Sequence, residues 1–207
     1  MIYIKQFGNK SVFLIGYEFQ KNPFNEPGIL GVSWGTLELF IDGKNLFLKR
    51  KNGKNENFHW NLIYMAEWFH NNLKFLIIED EFPVKIKGND SIELLDNFYD
   101  SDIEDDDSID KVYDWNVRHS WFADRAGAFV PRVYFRKVQN QIEVSWDNKN
   151  LYDECKILFN EQRGRALLDI SYFKHVIDEF LLDFKSSLAI LIKTDESQDL
   201  QFEIMKN

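Results

Sequence analysis

Between Ile170 and Ile190, apolar side chains recur at helical spacing: Phe173, Ile177, Phe180, Leu181, Phe184 and Leu188. A stripe of this period marks one side of a helix that has to be covered by other apolar surface. The first fifty residues read as strands. VFLIGYEF is one, GILGVSWGTLELF a second, and Asp42-Gly43 between two apolar runs is a hairpin turn signal. KNGKNEN then reads as a polar loop.

Residues 58–76 read as a helix capped by Asn55 or Asn57, with Leu62, Ala66, Phe69 and Leu73 as its core stripe. Trp60, Tyr64, Glu67 and Asn71 fall on its opposite face. EFPVKIKG reads as extended, because Pro83 pushes Phe82 out of helix. SIELLDNFYD reads as a short helix and residues 100–110 as an acidic loop. KVYDWNVRHSWF gives a helix with Val112, Trp115, His119 and Phe122 on one side, ended by Gly127 and Pro131. VYFRKVQNQIEVSW alternates as a hairpin, CKILFN adds a strand, QRGR turns, and QFEIM near the end suggests a last strand.

This order of elements predicts an α+β fold: an antiparallel sheet built from N-terminal hairpins and a later hairpin at about 132–146, packed with three to four helices. Residues 1–207 are expected to form a single domain, with the acidic loop 100–110 as the one candidate seam. Aromatic residues make up 16% of the chain, which argues for a packed core and against disorder.

Cys155 is the only cysteine, so no disulfide framework can form within one chain. Its apolar run predicts an inert core thiol. The N-terminus carries no secretory pattern and no apolar run approaches the roughly 18 residues of a membrane span. A cytoplasmic location is expected.

The formal net charge is −9, and Asp100, Asp102, Glu104, Asp105, Asp106, Asp107 and Asp110 supply most of it. Glu67 with His70, and His175 with Asp178, stand three residues apart on helices, but surface pairs of this kind are common and no metal is expected. No nucleophile elbow or phosphate-binding glycine loop occurs, so no catalytic residue and no cofactor is assigned.

The densest chemistry is RHSWFADRAGAFVPRVYFR. Arg118, His119, Arg125, Arg132 and Arg136 could grip a phosphate or carboxylate, since guanidinium forks bind such anions bidentately. The competing reading pairs these arginines with nearby acids.

The leading expectation is a non-catalytic cytoplasmic protein-binding module of immunity, antitoxin or phage-defence-accessory type in bacteria. It would hold a partner bearing a basic patch through Trp60, Tyr64, Glu67, Asp105, Asp106 and Asp107. The alternative is a phosphate- or nucleotide-ligand-binding domain, enzymatic or not, using Arg118–Arg136. Nucleic acid is disfavoured because the chain outside the acidic tract is near neutral.

Overall fold

The computed structural model describes residues 4–121 and 129–194. In chain order the strands and helices are β1 (Lys5–Asn9), β2 (Phe13–Phe19), α1 (Gly28–Val32), β3 (Trp34–Ile41), β4 (Lys44–Asn45), β5 (Lys49–Lys51) and β6 (Lys54–Glu56). There follow β7 (Phe58–Asn61), α2 (Ile63–Ile78), α3 (Ser91–Tyr99), α4 (Asp106–His119) and β8 (Ser120–Trp121). The chain continues with β9 (Val133–Val138), β10 (Gln141–Asp147), β11 (Ile157–Phe159), β12 (Arg163–Asp169) and α5 (Ile170–Thr194).

Antiparallel sheets and helices together make an α+β fold, and the hairpin regions build separate sheets. The first sheet runs β1-β2-β3-β4, with β7 also on β3; the second runs β12-β10-β9-β8; a small third runs β11-β5-β6. The Asp42-Gly43 turn joins β3 to β4 with both residues at positive φ, 51° and 77°. That geometry follows the right-handed twist of paired strands.

One core joins the first two sheets. The inner faces carry Phe13, Ile15, Leu37 and Leu39 on one sheet and Val133, Phe135, Ile142 and Val144 on the other. Helices α2 and α5 pack against both through the same cluster. Phe69 of α2 meets Phe135, Phe173 and Phe180, so one ring touches both helices and the second sheet. The α5 stripe lies where its spacing requires: Phe173, Ile177, Phe180, Phe184 and Leu188 are buried, and Leu181 is half-buried.

Helices α3 and α4 cover the other face of the second sheet. Ile92, Leu95, Phe98, Val112 and Trp115 pack there around Tyr134, whose side chain points opposite to Val133 and Phe135. This face is polar beneath the helices. Glu143 is fully buried and accepts from Arg136 at 3.0 Å, Arg165 at 2.8 Å, and the Ser91 amide and hydroxyl at 2.9 Å each. Asp90 caps α3 by accepting from the Ile92 and Glu93 amides, and Arg163 holds its other oxygen at 2.6 Å. These two carboxylates tie the start of α3 to the sheet.

Several sequence expectations change. Residues 58–61 are a strand rather than the start of a helix, because they pair with Trp34–Leu37 of β3; α2 begins after Leu62, without an asparagine cap. Residues 28–32 form a short helix ahead of β3. KNGKNEN is the β5–β6 hairpin. The acidic stretch is not all loop, since α4 starts at Asp106. QRGR enters β12: Gly164 lies under Trp146, and a Cβ there would stand 2.1 Å from the indole. Cys155 is exposed, because a short 3₁₀ turn and a left-handed Lys156 precede β11. The Gly127 helix break and the QFEIM strand lie outside the described residues.

Candidate functional site

Among the described residues of the segment 118–136, each arginine is held by an acid of its own. Arg118, on the last turn of α4, donates to the Glu79 carboxylate at 3.3 Å and lies over the Phe75 ring. Arg132 donates to Asp96 at 3.2 Å and to the Tyr134 hydroxyl at 3.3 Å. Arg136 goes to Glu143. Three arginines thus face three different acids on three different elements. Arg125 lies outside the described residues.

His119 is fully buried. Its Nδ1 stands 2.9 Å from the Trp115 carbonyl, so that nitrogen carries the proton and donates. Nε2 is 3.7 Å from the Glu79 carboxylate, beyond hydrogen-bond reach, and Arg118 already holds that acid. Burial pushes the imidazole pKa down to about 4; the Trp115 carbonyl opposes this, and Arg118 and Arg136 reinforce it. A neutral histidine in this setting packs and orients.

Beside Arg132 a pocket of about 200 Å³ opens between Ser120, Pro131, Arg132, Tyr134, Leu151 and Tyr152. The Arg132 guanidinium stacks on the Tyr134 ring with its carbon 5.5 Å from the centroid. One cation on an aromatic wall is suited to a small anion or a planar ring.

The residues expected to bind a partner are dispersed. Trp60 sits on β7 and Tyr64 on α2, so the single helix face predicted for them does not exist. Both are half-buried against the main core, and Glu67 is half-buried on α2. Asp105 caps α4, its carboxylate accepting from the Ser108 amide at 2.9 Å. That hydrogen bond holds the Asp105 pKa below its usual value. Asp106 and Asp107 occupy the first turn, where the helix dipole favours acids.

Sequence reasoning followed the inner side of α4 and passed over the outer one. Val112, Trp115 and His119 point inward. Ile109, Tyr113 and Val117 recur every four residues on the far side and are 42%, 57% and 38% exposed. Asp106, Asp110 and Asp114 follow the same spacing beside them and are exposed. The signal was a second apolar period, out of phase with the first.

Comparison with protein-family models, curated proteins and solved structures finds no match. Among the described residues no group of three or more His, Cys, Asp or Glu could hold a metal ion. His175 pairs with Glu179 on the exposed side of α5. No helix among the described residues is long and apolar enough to cross a membrane.

Proposed function

We propose that this chain is a non-catalytic protein-binding module whose contact surface is the outer face of α4. The exposed row Ile109, Tyr113 and Val117, flanked by Asp106, Asp110 and Asp114, carries this reading. Apolar side chains spaced one helical turn apart gain by leaving water together, at about 25 cal/mol per Å². The neighbouring acids need cations when they are covered. The fitting partner is therefore a protein segment with apolar and basic residues interleaved. The helix is rigidly seated: Val112 and Trp115 anchor it, and Asp105 caps it. Asp100, Asp102 and Glu104 extend the negative surface ahead of it. A small acidic binder of this kind suits an immunity, antitoxin or phage-defence-accessory role in a bacterial cytoplasm, held against a basic partner.

Native mass spectrometry of the tagged protein, purified gently from its own host, tests this. The wild-type chain should carry an added mass of protein size, and the pair Tyr113→Ser with Val117→Ser should lose it. A complex that survives the double substitution unchanged would sink the assignment of this face.

A second reading rests on the pocket beside Arg132. There the chain would bind a small phosphate-bearing or carboxylate-bearing ligand, with the guanidinium on the anion and Tyr134 along one wall. A thermal-shift panel of nucleotides and phosphate esters at millimolar concentration would raise the melting temperature of wild type and not of Arg132→Gln. Equal behaviour of the two proteins would remove this reading.

A further inference from the structure

The strongest positive feature of the chain lies away from α4. Between residues 43 and 55 stand Lys44, Lys49, Arg50, Lys51 and Lys54 without an acid, and Glu56, which ends β6, stands directly opposite Lys49. Strands β5 and β6 pair across Asn52-Gly53, whose φ values of 51° and 79° make a tight twisted ribbon. Lys51 and Lys54 are direct cross-strand neighbours, an arrangement that costs stability.

Arg118, Arg132, Arg136, Arg163 and Arg165 each have a carboxylate within ion-pair distance. Among the described residues, neither Lys44 on β4 nor the four ribbon cations Lys49, Arg50, Lys51 and Lys54 make such a pair. Lysines elsewhere, Lys10, Lys74 and Lys111 among them, also stand without an ion pair, so the ribbon is set apart by its density of cations and by Arg50, the one arginine among the described residues without a carboxylate partner. Lys44, Arg50 and Lys54 are exposed. Lys49 lays its ammonium over the Phe58 and Phe129 rings at 5.8 and 5.6 Å. Burial pushes the Lys49 pKa down; Glu56 opposes this and Lys51 adds to it. Glu56 offsets Lys49 alone, and the repulsion among Arg50, Lys51 and Lys54 is relieved by an anion from outside.

We infer that the β5–β6 ribbon contacts the phosphate backbone of nucleic acid, without reading bases. The cations are spread along a ribbon, which suits a repeating anion better than a single one. Lys49 and Lys51 lie two residues apart on one strand, a rise of about 6.6 Å. Two nucleotide steps along a strand rise about 6.8 Å. A two-stranded ribbon is also of a size that the DNA major groove admits. The ribbon strands carry no apolar residue, so they lack the anchor a lipid surface takes. This contact is independent of the α4 face and would stand or fall separately from it.

Fluorescence anisotropy with labelled single-stranded and duplex DNA of about 20 nucleotides, from about 25 to 200 mM salt, tests the inference. Binding should appear at the low-salt end. The logarithm of affinity should fall linearly with the logarithm of salt, with a slope of about −3 to −4 for four neutralised phosphates. Joint Arg50→Gln, Lys51→Gln and Lys54→Gln should weaken binding at least tenfold and reduce the slope by about 2 to 3, with the melting temperature held. Asp106→Asn, Asp110→Asn and Asp114→Asn together should leave DNA binding in place. The inference is overturned if neither DNA binds at low salt, or if the triple ribbon variant binds as well as wild type. It is overturned equally if polyglutamate or anionic vesicles bind as tightly as DNA under the same salt.

Discussion

The imidazole of His119 lies flat against the indole of Trp115, with ring centroids 4.3 Å apart and planes 12° from parallel. The stack closes the C-terminal end of α4 against the sheet and leaves the imidazole no water. It also sets a pH dependence. The unfolded chain titrates His119 near 6.5, whereas burial in the fold holds it down to about 4. The unfolded chain therefore binds the proton more readily. The contribution is complete above about pH 6.5 and is lost as pH falls towards 4, on the order of 3 kcal/mol in all. Urea unfolding at pH 7.5 and 4.5 should show this loss in wild type. His119→Phe, which keeps the stack, should lose clearly less between the same two pH values. Identical acid limbs would contradict the assignment.

Glu143 is the charge on which Arg136 and Arg165 converge. Glu143→Gln keeps the shape and an acceptor for Ser91 but removes the negative charge. Leaving the largely buried Arg136 without its counter-ion should cost up to about 3–5 kcal/mol in urea unfolding. Amide exchange of Ser91 to Leu95 should quicken first, since Ser91 is tied to the same carboxylate. A loss below about 1 kcal/mol would show that the clasp contributes little.

Gly164→Ala places a methyl group into the Trp146 ring. Overpacking of this kind costs about 1–3 kcal/mol, which lowers the melting temperature by roughly 2–4 °C for each kcal/mol in a chain of this size. An unchanged melting temperature would mean that the indole moves aside freely.

The outer face of α4 should separate binding from stability. Tyr113→Ser removes no buried contact, so stability should stay within about 0.5 kcal/mol. Partner affinity should fall at least tenfold, as expected of an aromatic anchor near the centre of an interface. A variant that loses stability and keeps its partner would reverse the roles given to Tyr113.

The sequence was legible where one physical signal acted alone. The α5 stripe, the Asp42-Gly43 turn and the α3 segment after Asp90 each came from spacing or turn chemistry that tertiary structure did not disturb. It was illegible where a signal had two meanings. Acids at 105–107 resemble a solvated loop, yet they are what a helix N-terminus attracts. Asn52-Gly53 carries the same turn chemistry as Asp42-Gly43, but KRK and KNE lack apolar alternation; KRK is a strand through its pairing with both β11 and KNE, and KNE through its pairing with KRK. Gly164 resembles a turn residue until Trp146 is placed over it. The arginines of 118–136 looked like one cluster because they are close in sequence. Glu79 and Asp96 come from elsewhere in the chain, which no local pattern shows, whereas Glu143 stands opposite Arg136 in the β9–β10 hairpin and was within reach of the local pattern.

The most direct measurement is site-specific photo-crosslinking in the native host, with a photoreactive phenylalanine at Tyr113 and, as a control, at the exposed Leu182 of α5. Position 113 should give one protein adduct that weakens with salt and is lost when Asp106, Asp110 and Asp114 become asparagine, and the linked segment of the partner should be basic. No adduct at position 113, or the same adducts at 113 and 182, would contradict the claim that α4 presents the binding surface.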